Sequence, residues 1–284
     1  MEDIRYGVLT LTPTCDGDGL IICDCEKNAT EVVIPAEVNG LPVVGIGDVA
    51  FEYCTVLSRV IFPDDINLPA FNTGEPIEEW ERNYLLIGCG FEIGGNAFMG
   101  CTSLIEIDLP YYVTVIGHGA FYKCESLTKA TFTDNAFVSS YAFSHCYSLT
   151  EVSTVKSVND GVFSHCKSLN YLPISNYTYT IGEDAFEHCY SLREITIPKQ
   201  VTRIEALAFR SCRGLTRVVF ESPDGWVGTN AYMRGKKNKL DLSNPEHNAL
   251  WLSRMDFDDG VIAWFKDDGD EDGDNEDEFD PFDI

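Results

Sequence analysis

In three places along the chain a histidine directly precedes a cysteine, at residues 145–146, 165–166 and 188–189. An imidazole beside a thiol is the combination that activates a cysteine nucleophile. Both side chains are also ligands that zinc and other transition metals prefer. Either chemistry requires the two side chains to converge on one point, so the local structure that carries them decides between these roles and a structural one.

Each histidine–cysteine pair lies in a longer frame, Ala-Phe-x-x-Cys-x-x-Leu, which recurs seven times with Val162 replacing one alanine. The cysteines of this frame occupy positions 54, 101, 124, 146, 166, 189 and 212. From Cys101 onward they are 20 to 23 residues apart, and a fixed period of this length is typical of a stacked solenoid. The first interval is about two periods long and holds an irregular segment, 64–90, which we expect to be a degenerate repeat or a loop. Trp80 and Tyr84 in it are packing or binding aromatics.

The unit between the last two cysteines illustrates the local structure that the pattern predicts. Ile195 and Ile197 alternate with polar residues, as in a short strand with one buried face. Pro198 ends that strand because proline cannot donate to a continuing ladder. Phe209 then returns the chain inward in a short helical turn. We expect Cys212 to point into the core as well, since free cysteine behaves as a small hydrophobe.

The strand Leu-x-x-Ile-x-Ile-Pro, the stretch Val-Thr-x-Ile-Gly and the turn Ala-Phe-x-x-Cys together resemble the BspA-like leucine-rich repeats, also called the Treponema pallidum type. Residues 113–121 and 181–186 carry the last two elements clearly. The resemblance covers residues 30–220 in outline. It implies an α/β leucine-rich-repeat solenoid, in which short β-strands stack into a curved right-handed array with short helical or 3-10 turns, capped at both ends.

The sequence divides into four segments on this basis. We expect residues 1–50 to form a β-rich N-terminal cap leading into the first repeat, and residues 51–220 to hold the repeats with the insertion 64–90. Residues 221–266 are similar to a C-terminal capping segment. Residues 267–284 are expected to be a disordered tail, because eleven of them are acidic and none is basic. Caps at both ends favour a monomer.

Stacking of the repeats bears directly on the cysteines and histidines. Equivalent residues of adjacent repeats lie about 5 Å apart, so the cysteines should form an internal column whose parallel side chains favour reduced thiols over disulfides. Cys23 and Cys25 approach zinc-ligand spacing, and on a strand they would share one face, where a structural role is favoured. If cysteine points inward, the adjacent histidine points outward. His145, His165 and His188 are therefore expected on the solvated surface, although three stacked imidazoles are also able to bind a transition metal.

Common catalytic motifs are absent from the sequence: it has no Gly-x-Ser-x-Gly, no His-Glu-x-x-His and no P-loop. We predict no catalytic residue, no metal site and no cofactor. The net charge of −26 should repel nucleic-acid phosphates. The sequence has no run of 18 apolar residues, so we expect no membrane insertion. The N-terminus lacks a signal-peptide pattern, and eleven cysteines, an odd number, suit a reducing cytoplasm. An extracellular or cell-surface location is the alternative if a signal peptide has been removed.

The acidic tail allows three interpretations. Residues 268–273 match positions 1, 3, 5 and 6 of an EF-hand loop, but position 12 falls on Phe279, where a carboxylate is needed. Phe279, Phe282 and Ile284 are apolar anchors spaced through acids, a composition suited to docking in a basic-rimmed groove. The third interpretation is a tail that only increases solubility.

Solenoids bind partners through exposed strand positions on their concave sheet. In the predicted register these positions, here called the binding lane, are Arg59, Glu106, Lys129, Glu151, Tyr171, Glu194 and Arg217. The lane alternates in charge and holds one aromatic near its middle. That fits a mixed polar protein surface with Tyr171 as an anchor, and a charge ladder satisfied within itself is the alternative.

The leading hypothesis is a non-enzymatic protein–protein interaction scaffold. It would bind a protein partner of unknown identity through the concave surface, with Phe279 and Phe282 of the tail as a second contact. The alternative within the family is a secreted or cell-surface adhesin that binds host or matrix protein. Two further hypotheses are a metal-dependent enzyme that uses the histidine column and an acidic inhibitor that mimics nucleic acid.

Overall fold

The computed structural model describes residues 2–66, 90–230, 237–239, 241–253 and 261–266. Over these residues the protein is a β-solenoid of about eight turns, made mostly of strands with one short helix. The core is a continuous apolar cluster that runs the length of the array, and nearly every core leucine, isoleucine, phenylalanine and cysteine of the repeats is fully buried. Each turn has too few apolar residues to form a core alone, so its buried face is completed by its neighbours.

The strands of the described residues are short, and the single helix lies near the C-terminal end. In chain order they are β1 (Ile4–Tyr6), β2 (Leu9–Pro13), β3 (Leu20–Cys25), β4 (Glu31–Val33), β5 (Glu37–Val38), β6 (Leu41–Ile46), β7 (Arg59–Ile61), β8 (Phe91–Ile93), β9 (Glu106–Asp108), β10 (Val113–Ile116), β11 (Lys129–Thr131), β12 (Phe137–Val138), β13 (Glu151–Val152), β14 (Thr180–Ile181), β15 (Glu194–Ile197), β16 (Arg203–Ile204), β17 (Arg217–Phe220), β18 (Trp226–Asn230), β19 (Lys237–Lys239), α1 (Pro245–Ser253) and β20 (Val261–Lys266).

One set of strands, the first strand stack, carries the binding lane. It consists of β4, β7, β9, β11, β13, β15 and β17, which pair in parallel within the groups β4–β7, β9–β11–β13 and β15–β17. The second residue of each strand is buried and the residues next to it in the strand are not, as the predicted alternation requires. Between β13 and β15 the stack is irregular, with an isolated parallel bridge between Val155 and Ile174.

The second strand stack consists of β6, β8, β10 and β12, paired in parallel, followed by the parallel pair β14 and β16. Between these two groups lies an isolated parallel bridge from Val158 to Ile181 of β14. At one end β3 pairs in parallel with β6, and β1 and β2 extend the sheet in antiparallel fashion. At the other end β20 pairs antiparallel with β16, followed by β18 and β19. Both ends of this stack therefore continue into antiparallel strands from the terminal segments.

The Ala-Phe-x-x-Cys segments, here called the Ala-Phe turns, are not the short helical turns that the sequence predicts. Two residues of every turn have left-handed backbones, with φ between +53° and +71°. They are the residue before the alanine (or Val162) and the residue before the cysteine. The latter are Tyr53, Gly100, Lys123, His145, His165, His188 and Ser211. A left-handed residue directs its N–H out of the helical path, so a helix cannot propagate.

Alternate N–H groups of every Ala-Phe turn before the last donate to the next repeat instead. His165 N donates to Glu187 O over 2.6 Å and Phe163 N to Ala185 O over 2.9 Å, while Cys166 N donates within its own turn to Phe163 O over 3.0 Å. These bonds between repeats offset the cost of a left-handed non-glycine backbone, which is about 1–2 kcal/mol per residue. The turns are thus a third hydrogen-bonded column beside the two strand stacks.

The phenylalanines and cysteines of the Ala-Phe turns line the core side of this column. The seven phenylalanine rings stack on one another, with centroids 4.7–5.9 Å apart. From Cys101 onward each cysteine Sγ lies 3.0–3.2 Å from the carbonyl oxygen of the phenylalanine one repeat earlier. The cysteines are therefore internal, as predicted, but each also donates a hydrogen bond between repeats.

Cys23 and Cys25 do not share a face of β3, as the sequence analysis expected. Leu11 is opposite Ile22 and Thr10 is opposite Asp24, so Cys23 is the extra residue of a β-bulge. Cys25 is buried, whereas Cys23 is only half-buried. The bulge shifts the alternation of side chains by one residue, and spacing alone does not reveal it.

The helix α1 takes the place of a further repeat after the last Ala-Phe turn. Asn244 caps it through bonds from the N–H groups of Glu246 and His247 to its Oδ1. At the other end of the helix the carbonyl oxygen of Ser253 accepts the N–H of Ser211. In the earlier turns the equivalent N–H donates to the next repeat.

Candidate functional site

Six of the seven residues of the binding lane lie on the first strand stack, and most of their charges are paired. Lys129 Nζ lies 2.6 Å from Glu151 Oε1, and Arg217 lies 3.8 Å from Glu194. Glu106 is the register partner of Lys129 on the other side. All of these side chains are exposed or half-exposed, so the lane is in large part a charge ladder satisfied within itself, the alternative that the sequence left open.

The lane also extends one residue further than the sequence analysis placed it. Glu31 of β4 is the register partner of Arg59, and the two side chains are 3.7 Å apart. The sequence analysis missed Glu31 because it assigned the first 50 residues to a terminal cap. The pattern Glu-Val-Val-Ile-Pro at 31–35 is the same strand motif as Glu-Ile-Thr-Ile-Pro at 194–198, and that match was the available indication.

Tyr171 differs from the rest of the lane. It lies in the irregular region between β13 and β15 and leaves 57% of its surface exposed. Two tyrosines that the sequence analysis did not select follow it in the same segment, Tyr177 at 67% and Tyr179 at 63% exposure. Lys156 Nζ lies 5.3 Å from the centre of the Tyr177 ring, a cation–π contact. Three large aromatic rings are thus exposed within nine residues.

The three histidines form a stack on the outside of the Ala-Phe turns. The ring centroids of His145 and His165 are 4.3 Å apart, and those of His165 and His188 are 4.5 Å apart. His165 and His188 keep less than a third of their side-chain surface exposed, so they are not the freely solvated histidines that the sequence predicts. The left-handed backbone at each position holds the rings in register from one repeat to the next.

A buried carboxylate completes this histidine stack. Glu187 is only 8% exposed and forms an ion pair with Arg210 one repeat later. Its Oε1 lies 3.5 Å from His188 Nε2, and its Oε2 lies 3.9 Å from His165 Nε2. The sequence analysis missed Glu187 and Arg210 because their contact joins residues 23 positions apart. The only indication in the sequence is that they occupy the same position of the frame with opposite charge.

The electrostatics of the stack follow from its crowding. Burial, the neighbouring His165 and the cations Lys123 and Lys167 lower the pKa of His145 to about 4. Burial and His188 lower the pKa of His165 as well. Burial and the charge of Glu187 raise the pKa of Asp184 to about 6. Near neutral pH the imidazoles of His145 and His165 are therefore neutral, with their ring nitrogens able to accept a proton or coordinate a metal.

The paired histidines and cysteines do not form a nucleophile–base pair. The thiols of Cys146, Cys166 and Cys189 donate inward to phenylalanine carbonyls, while the imidazoles lie on the outer side of the turn. Burial raises the pKa of all three thiols well above the usual value, so they stay protonated. A cysteine nucleophile needs a thiolate that faces its base, and the geometry supplies neither.

Several predicted features lie outside the described residues. They are most of the insertion 64–90 with Trp80 and Tyr84, and the acidic tail 267–284 with the calcium-loop residues 268–273 and the anchors Phe279, Phe282 and Ile284. The predictions made for them stay predictions. In the ranges that are described, no helix is long and apolar enough to cross a membrane.

Parallel strands, Ala-Phe turns and a cysteine column that repeat every 20 to 23 residues define a leucine-rich-repeat β-solenoid. The chain belongs to the BspA type leucine rich repeat family, whose profile matches six copies over residues 88–159 and 138–244, more than half of the chain. A search of the curated proteins found no match.

Solved structures agree with this assignment. A leucine rich cell surface protein from Faecalibacterium prausnitzii is 28% identical over 86% of this chain, with a TM-score of 0.63. This chain covers 62% of the length of that structure. The T. pallidum leucine rich repeat protein is also 28% identical, over 78% of this chain and 84% of its own, with a TM-score of 0.50. This family is a repeat scaffold whose members commonly bind proteins or lie on cell surfaces.

Proposed function

We propose that this chain is a non-enzymatic protein-binding module that anchors its partner on Tyr171, Tyr177 and Tyr179. The observation that carries the proposal is the exposure of these three rings within the nine residues 171–179, between β13 and β15 along the chain. Tyrosine supplies a large, rigid contact area with a polar end, and is enriched among the residues that dominate binding energy at interfaces. Clustered exposed apolar surface is uncommon on soluble domains and often marks an interaction site.

The paired charges of the binding lane have a secondary role in this proposal. Exposed ion pairs contribute little stability and are screened by salt. A partner that approaches the lane meets alternating charges, which orient the partner and disfavour proteins with a different charge pattern. These charges add less to the binding affinity than to specificity. The strong negative charge of the whole chain argues against a nucleic-acid partner.

The shape of the array belongs to the same proposal. Parallel strands joined by crossovers are right-handed in almost all known cases, so we expect a curved, right-handed array with the binding lane on its concave side. The antiparallel strands at both ends of the second strand stack would act as caps, because they occupy edges that otherwise invite another copy to pair. We therefore expect a monomer.

A test needs variants that keep the fold. Replacement of all three tyrosines by serine removes the exposed rings without touching the buried core, and Tyr53→Ser with Tyr111→Ser removes two equally exposed rings elsewhere. Partners captured from cell lysate and from extracellular protein are purified and their affinities measured by titration. The proposal expects the triple variant to bind at least about tenfold more weakly and the control to bind as the wild type does. Equal loss in both variants, or none in the triple variant, would refute it.

A cell-surface adhesin is the second candidate, favoured by the similarity to the F. prausnitzii protein described as a cell surface protein. The cysteines do not decide against it. Most of the described thiols are fully buried and are protected from oxidants in any compartment, whereas Cys15 is exposed. Labelling intact source cells with a membrane-impermeant amine reagent distinguishes the candidates. Labelling of this chain before lysis supports the adhesin, and labelling only after lysis supports a cytoplasmic module.

A further inference from the structure

We propose that His165, Glu187 and His188 form a binding site for a divalent first-row transition metal ion such as Zn²⁺. One ligand atom from each of the three side chains lies within 4.8 Å of the other two. Two imidazole nitrogens and one carboxylate oxygen are a ligand set that proteins use for zinc, with at least one further position open to water or another ligand.

The distances require only small side-chain movements to receive an ion. The carboxylate of Glu187 is 3.5 Å from His188 Nε2 and 3.9 Å from His165 Nε2. Ligand atoms about 2.0–2.2 Å from a tetrahedral zinc ion are about 3.3–3.6 Å from one another. Rotation about the side-chain bonds of His165 therefore closes the site, while Glu187 keeps its contacts with Arg210 and Ser164 and the backbone bonds between the two repeats stay as they are.

A second shell that suits a metal is already in place. His188 Nδ1 lies 3.0 Å from Tyr190 Oη, so the ring can donate from Nδ1 to Tyr190 and present its Nε2 lone pair to an ion. Metal-ligating histidines almost always have such a partner for the second ring nitrogen. On the carboxylate, Arg210 and Ser164 Oγ hydrogen-bond to Glu187 and fix its orientation.

The neighbouring residues make the site selective for the type of ion. Calcium and magnesium prefer oxygen ligands, and this site has two nitrogens. The thiols of Cys166 and Cys189 cannot join because they are directed into the core. His145 stacks on His165, but its Nδ1 lies 2.9 Å from Ser144 Oγ, and it is not in the three-residue cluster.

The test uses the purified full-length protein after treatment with a chelator. Zn²⁺ is titrated calorimetrically in the presence of excess Ca²⁺, which occupies the acidic carboxylates that bind divalent ions weakly. The proposal expects one site, which His165→Asn and Glu187→Gln each weaken by at least about tenfold. The control His118→Asn removes an exposed histidine elsewhere and should leave the affinity unchanged. Zinc should also raise the Tm of the wild type and of the control, but not that of the two site variants.

Cobalt substitution identifies the ligands independently. A Co²⁺ complex held by nitrogen and oxygen shows visible d–d bands without the intense thiolate charge-transfer bands in the near ultraviolet. Thiolate bands, a zinc affinity that survives His165→Asn, or no zinc binding by the wild type would each overturn the proposal. If Glu187→Gln fails to fold because it disturbs the ion pair with Arg210, the partly exposed His165→Asn variant decides the test alone.

Discussion

The Sγ atom of Cys166 lies 3.2 Å from the carbonyl oxygen of Phe143, the phenylalanine of the preceding repeat. That oxygen also accepts the backbone N–H of Cys146 over 3.2 Å. The thiol of Cys166 therefore donates to the second lone pair of the carbonyl oxygen. The same arrangement recurs at every cysteine of the column after the first. Cysteine is suited to this position because it fills a small apolar space and still donates one hydrogen bond.

Replacement of Cys166 by alanine should therefore destabilise the fold. The loss of one hydrogen bond and of the buried sulfur should lower the free energy of unfolding by about 2 kcal/mol in total. The matched control is Cys15→Ala, since Cys15 is exposed and should be neutral. Denaturant unfolding of both variants measures the difference, and equal stability would contradict the role assigned to the thiol.

A pair of adjacent glycines tests how closely the repeats approach. A Cβ on Gly94 would lie 2.5 Å from the backbone nitrogen of Asp48 in the preceding repeat, whereas on Gly95 its nearest neighbour would be a side-chain oxygen at 3.4 Å. We expect Gly94→Ala to lower the free energy of unfolding by about 1–3 kcal/mol, because backbone cannot move aside as a side chain can. Gly95→Ala should change it by less than about 0.5 kcal/mol. The reverse order in a thermal melt would exclude this close approach.

The first strand stack and the cysteine column were predictable because both depend on the burial of apolar residues at a fixed period. The conformation of the Ala-Phe turns was not. Residues such as Val49, Lys123 and Leu207 have left-handed backbones that their side chains disfavour. Hydrogen bonds to the next repeat stabilise that conformation, and a single repeat contains no trace of them.

The histidine stack gives the fold a dependence on pH. In buffer with a chelator, the lowered pKa of His145 means that the unfolded chain takes up a proton near pH 6.5 and the folded chain only near pH 4. Stability due to this group is therefore present above about pH 6.5 and is lost as the pH falls toward 4. Solvent screening limits the loss to on the order of 1 kcal/mol.

His145→Asn isolates this contribution from the other titrating groups. Asp184 has a raised pKa, so protonation of this group as the pH falls increases the stability of the folded chain. Because Asp184 is present in both proteins, its contribution cancels in the comparison. Between about pH 7.5 and pH 4.5 the wild type should lose more stability than His145→Asn in parallel denaturant titrations. An equal or smaller loss in the wild type would show that the ring is as hydrated in the folded chain as in the unfolded one.

The contact between Lys129 and Glu151 tests whether the binding lane is satisfied within itself. Both side chains are largely exposed, so their coupling in a double-mutant cycle should be small and should vanish in molar salt. Exchange of the two residues, Lys129→Glu with Glu151→Lys, should keep stability near that of the wild type. A strong coupling that resists salt would mean that the pair has a structural role.

The central claim is that a protein partner contacts the segment 171–179. A photoreactive benzoylphenylalanine placed at Tyr171 or Tyr177 is the most direct measurement, with the same residue at the equally exposed Tyr53 as the control. The account predicts that a purified partner is crosslinked from positions 171 and 177 and not from position 53. Crosslinking from Tyr53 alone, or equal yield from all three positions, would contradict it.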